Sequence, residues 1–262
     1  MHPTTLLRPP TVADPGPPTA ASPWTAAFLV TFLAAWLALD RLVTSPPTVV
    51  SATISLAAAS AVLLVGELVL SHTAPHDLGR RLGLGRPTAR ALAVAAIVGG
   101  AVLATYVGVG AALDIELEVR SNWPAVLAGV LLFHGVAEEL VWRGFAFGHL
   151  RRTATFRRAV VRTIPLLALT HVPIMVNTGV GVGALAVVSA AVTCLPLALL
   201  WERGGRTIWA PALLHGLIGT WQLFDRDSYG TEFGLVIVGT SILVPLAACA
   251  FGDRWYGTGE ES

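Results

Sequence analysis

The chain has 262 residues, of which 54% are hydrophobic and 13% charged, with a formal net charge of +1 and a mean hydropathy of +0.69. Soluble domains carry about 25% charged residues, so the composition excludes an ordinary soluble enzyme and implies repeated membrane crossing. The 17 cationic residues are all arginine, scattered between apolar runs; with no clustered basic face, nucleic acid is excluded as a partner.

Residues 1–23 include Pro3, Pro9, Pro10, Pro15, Pro17, Pro18 and Pro23 without apolar periodicity, which predicts a disordered, proline-rich cytoplasmic tail rather than a signal peptide. Residues 24–251 predict one all-α transmembrane domain, a polytopic helical bundle of about eight spans. Its apolar runs cover 24–39, 48–70, 88–113, 123–150, 159–176, 180–201, 207–224 and 233–251, and 252–262 form a short cytoplasmic tail. Glu67, near the end of the second run, implies either a shorter span or a snorkelling end. Cys194 and Cys249 lie in separate runs without the paired spacing of a zinc site or a disulfide, and read as packing residues.

Orientation follows from the loops, because arginine collects on the cytoplasmic side. Arg80, Arg81 and Arg86 follow the second run, Arg151, Arg152, Arg157 and Arg158 the fourth, and Arg203 and Arg206 the sixth. The intervening connections carry Asp114, Glu116 and Glu118, or Asp225, Asp227 and Glu232. Both termini are therefore expected inside. The lysine-free, alanine- and glycine-rich composition suits a GC-rich bacterial genome, so the expected location is a bacterial plasma membrane.

Ionisable groups at bilayer depth are costly and mark function. Glu138 lies 13 residues before Arg151, His171 13 after Arg158 and His215 nine after Arg206, about 20, 20 and 14 Å at the helical rise. Groups on three different spans that agree in depth predict one pocket opening to the cytoplasm. Glu139 and Arg143 are four apart with the acid first, the favourable order for an ion pair on one helix. Glu138 then faces elsewhere, on the stripe of His134 and Trp142, and is the carboxylate free to act as a general base. His171 precedes Pro173, which kinks the helix and frees a carbonyl; His215 follows Pro211 near a helix start. His134 could border the pocket, whereas His72, His76 and His149 are assigned no chemistry.

Glu138-Glu139-x-x-x-Arg143, then His171, then His215 resemble the ordered motifs of the CAAX prenyl protease and bacteriocin-processing family of intramembrane proteases, over a motif core of 123–224. The resemblance implies that Glu138 activates water, His171 helps hold it, His215 stabilises the oxyanion or ligates a metal, and Glu139 and Arg143 brace the site. It leaves the cofactor open: Glu138, His171 and His215 suit either a divalent metal such as zinc or a metal-free water clamp. No HExxH helix is present, which excludes ordinary zincin geometry. Two positions depart from the family pattern. Leu167 stands at its aromatic position, and Gly219 replaces an amide or acid that would serve where charge develops. Gln222, seven after His215, is the candidate substitute amide.

The expected activity is hydrolysis of a peptide bond in a membrane-associated peptide or protein, near the cytoplasmic face, with the lipid bilayer as the other partner. The alternative, favoured by Gly219, is a catalytically impaired immunity or scaffold protein of the same fold that binds a peptide. A transporter ranks last, for want of an evident inverted repeat.

Overall fold

A computed structural model of the chain describes residues 23–70, 72–225 and 231–250. The tail expectations fall outside them, except that Pro23 opens the first helix. Eight main helices follow in order: α1 Pro23–Leu42, α2 Val49–Leu70, α3 Ala89–Ala112, α4 Trp123–Thr153, α5 Phe156–Thr178, α6 Val180–Arg203, α7 Trp209–Ile218 and α8 Thr231–Ala250. Among the described residues there is no strand, only an isolated bridge between Val119 and Phe224. The fold is an all-α bundle.

The eight expected runs fall on these eight helices, and five of them, α2 to α6, are long and apolar enough to cross a bilayer. The seventh is shorter than its apolar run suggested. α7 has 10 residues, about 15 Å of helix or half a hydrocarbon core, and then tightens into a 3-10 turn, Gly219–Leu223, before Phe224 turns extended. Apolarity persists through that stretch while the regular helix stops.

Local chemistry sets the helix ends. Thr88 caps α3 by accepting from the Ala91 N–H at 3.3 Å, Thr155 begins α5 in the same way, and Pro124 sits in the first turn of α4, where its missing N–H costs nothing. α5 and α6 form an antiparallel hairpin joined at Gly179, whose φ of +93° suits a residue without Cβ.

α1 pairs with α2, and both lie against α4. Phe32 meets Trp142 at a ring-centroid distance of 5.0 Å and Phe28 stacks on His149 at 4.6 Å, so α1 covers the C-terminal half of α4. Glu67 neither ends α2 early nor snorkels. It is fully buried, accepts from the Thr73 hydroxyl at 3.1 Å, and pairs with Arg152 of α4 at 3.3 Å. A partner on a neighbouring helix makes the snorkelling unnecessary.

α4 is the axis of the molecule. It is not uniformly α-helical: Leu131–Ala137 and Leu140–Phe147 are wound as π-helix on either side of Glu138-Glu139. Such widened turns are frequent at functional sites. Glu138 is fifteen residues from each end of this helix, about 20 Å along the axis.

Candidate active site

The site forms where α4 crosses α7. A Cβ on Gly135 of α4 would lie 2.9 Å from the Ala212 carbonyl oxygen, and one on Gly216 of α7 would lie 2.8 Å from Leu131 Cδ2. With neither present the two backbones come close. The residues adjoining those glycines, His134 and His215, consequently meet, with ring centroids 5.8 Å apart.

Glu138 lies between the two rings. Its Oε2 is 3.1 Å from Nδ1 of His134 and 3.5 Å from Nε2 of His215. The side chains of His134, Glu138 and His215 are 24%, 23% and 24% exposed, so all three are within reach of a small molecule.

Behind them the site is buried. Glu139 is fully buried and Arg143 almost so. Arg143 donates to Glu139 Oε1 at 2.8 Å, and the same oxygen accepts from Nδ1 of His215 at 2.7 Å. A carboxylate that takes the Nδ1 proton of a histidine fixes the tautomer and directs Nε2 forward. Glu139 thus holds the His215 ring so that its other nitrogen faces Glu138, and Arg143 holds Glu139.

Of the residues singled out in the sequence, Glu138, Glu139, Arg143 and His215 come together. His171 does not join their hydrogen bonds. It is near enough to Glu138 to act on it electrostatically, but its Nδ1 donates to the Leu167 carbonyl on its own helix at 2.7 Å. Thr170 donates to the same carbonyl at 2.9 Å. Leu167 itself is buried, an apolar packing position as expected.

Two residues carry more of the site than sequence reasoning gave them. His134 was legible as a neighbour of Glu138, four residues earlier on one helix face, but its direct contact with the carboxylate was not. Gln222 reaches His134, Nε2 to Nε2, at 2.8 Å. A side chain at Gly219 would address the same ring, because its Cβ would stand 3.3 Å from His134 Cδ2.

Residues 120–221 match the family model described as type II CAAX prenyl endopeptidase, Rce1-like. Over this stretch the chain is similar to that family. The matched stretch contains the whole Glu138–Arg143 motif, His171 and His215, and stops one residue short of Gln222. A search of curated proteins gave no match. With its apolar helices, this makes the chain an integral membrane protein with a CAAX-protease-like core.

The donor set also bears on a metal. One ligand atom each from His134, Glu138 and His215 lies within 4.8 Å of the others. Two imidazoles, one carboxylate and an open fourth position suit catalytic zinc, so the residues fit a divalent ion. In that set His134 stands where the sequence placed His171.

Proposed function

We propose that the protein is an intramembrane endopeptidase in which Glu138 is the general base that activates water against a peptide carbonyl. The observation that carries this reading is the position of Glu138 Oε2 between two imidazoles, 3.1 Å from one and 3.5 Å from the other. At 3.5 Å Glu138 and His215 are too far apart for a good direct hydrogen bond, which leaves Oε2 and Nε2 able to contact a water beside them.

The chain's own groups then divide the work. Glu138 takes a proton from the water as its oxygen attacks the carbonyl carbon. His215, its Nδ1–H committed to Glu139, offers Nε2 to the same water, and once protonated there can donate to the oxyanion or the leaving amine. Glu139 and Arg143 keep the ring in place. His171, with Nδ1 committed to its own helix, supplies a second imidazole near the water. If a divalent metal is bound, His134, Glu138 and His215 hold it, and it supplies Lewis-acid polarisation of the carbonyl.

The substrate is a membrane-inserted or lipid-linked peptide. We place its entry, and both chain termini, on the cytoplasmic side of a bacterial plasma membrane, on the strength of the arginine-rich loops. Purified protein in lipid bilayers, offered a library of membrane peptides, is expected to cleave a subset of them. Glu138→Gln keeps the shape and removes the base, so cleavage should fall by about a hundredfold or more. Equal cleavage by both proteins would end the assignment.

The second reading, a peptide-binding immunity or scaffold protein, rests on Gly219. Survival of biological activity in Glu138→Gln would favour it.

A further inference from the structure

Gly219 and Gln222 address one imidazole from one face. A 3-10 helix repeats every three residues, so positions 219 and 222 eclipse each other, and the turn Gly219–Leu223 is wound in this way. A Cβ at 219 would come 3.0 Å from Val130 Cγ1 and 3.3 Å from His134 Cδ2, crowding the ring. The bare glycine leaves that side of His134 to the Gln222 amide one turn later.

The main chain of Gln222 is held from the connection before α4. Its carbonyl accepts from Arg120 Nε at 3.2 Å. On either side of the Val119–Phe224 bridge, the Arg120 N–H donates to the Leu223 carbonyl at 2.9 Å and the Asp225 N–H donates to the Glu118 carbonyl at 2.8 Å. Gln222 is itself buried, at 8% exposure. A buried amide on a clamped backbone has few alternative directions in which to point.

We propose that Gln222 is a positioning residue that acts through His134. Its amide N–H donates to His134 Nε2, which must then be the bare nitrogen of a neutral ring. With no metal bound, the ring proton is therefore on Nδ1, which donates to Glu138 Oε2 at 3.1 Å. One Glu138 oxygen is thereby tied to α4, and the carboxylate is oriented toward His215. The chain from Arg120 through Gln222 and His134 to Glu138 sets the attitude of the base, and Gly219 keeps a competing side chain off the ring. The proposal rests on the peptidase reading only for its effect on rate; its statement about the His134 proton stands apart from any activity.

Nitrogen-15 NMR of the full-length protein in bilayers tests it. Phe133–His134 is the only Phe–His step in the chain, so carbonyl-labelled phenylalanine with nitrogen-labelled histidine singles out His134. The expected result is a protonated Nδ1 and a bare Nε2 in the wild-type protein stripped of divalent metal with a chelator. Gln222→Met, which keeps bulk and removes the amide, should replace the single ring state with an exchanging one, whereas Thr220→Ala, whose hydroxyl donates only to the Leu217 carbonyl, should leave it unchanged. A proton on Nε2 in the wild type would overturn the proposal, as would a ring state untouched by Gln222→Met. If Gln222→Met does not fold, the wild-type spectrum and Gln222→Ala still decide. Where cleavage is measurable, losing such a supporting partner should lower kcat roughly 10- to 100-fold with KM little changed; an unaltered kcat would refute the catalytic consequence. A protein that cleaves nothing, with its His134 proton on Nδ1, would sink the peptidase reading and leave this one standing.

Discussion

Replacing Arg143 with methionine removes the cation from a pair that has almost no contact with solvent. Glu139 is 0% and Arg143 3% exposed, and their closest atoms are 2.8 Å apart. Breaking such a buried pair from one side costs about 3–5 kcal/mol, because the remaining charge is stranded. Against a typical stability of about 5–15 kcal/mol, that is a large fraction. In Glu139 the second oxygen, Oε2, already has no hydrogen-bond partner, so the carboxylate has little to fall back on once Arg143 is gone. Among the described residues His215 would be its remaining hydrogen-bond partner. The double variant Glu139→Gln/Arg143→Met strands no charge and should be more stable than Arg143→Met alone, with a coupling energy of about 1–3 kcal/mol in the cycle. Unfolding in mixed micelles with rising SDS, followed by tryptophan fluorescence, reads this directly, since Trp142 and Trp201 are buried. Additive single and double variants, or a cost for Arg143→Met under about 1 kcal/mol, would refute the role given to the pair.

Gly135→Ala sets a methyl 2.9 Å from the Ala212 carbonyl oxygen and should separate α4 from α7, costing about 1–3 kcal/mol; a lower melting temperature together with weakened cleavage checks this, and an unchanged protein would contradict the close crossing. Arg152→Ala takes the cation from the buried Glu67 carboxylate, which keeps the Thr73 hydroxyl, and should cost roughly 1–3 kcal/mol in the same unfolding assay, whereas no change would mean that α2 and α4 are not joined through Glu67.

Much of this architecture could be read without coordinates, because in a bilayer the apolar run is itself the structural element. The runs that became α2 to α6 were evident for that reason. The early end of α7 was not, because hydropathy continues through Gly219–Leu223 while the winding changes to a 3-10 turn. The ion pair of Glu139 and Arg143 followed from spacing alone, a purely local property. His171 shows the limit of such reasoning: depth agreed with Glu138 and His215, but a side-chain rotamer that ties Nδ1 to the Leu167 carbonyl leaves no trace in spacing. His134 and Gln222 were each visible singly, and their contact was not, since it links residues 88 apart through a helix crossing made by two glycines.

The most direct test of Glu138 as a base compares the C-termini of membrane proteins in cells carrying the wild-type chain and in cells carrying Glu138→Gln at equal abundance. The account predicts a set of new C-termini present only with the wild-type chain. Identical C-termini in both would contradict it.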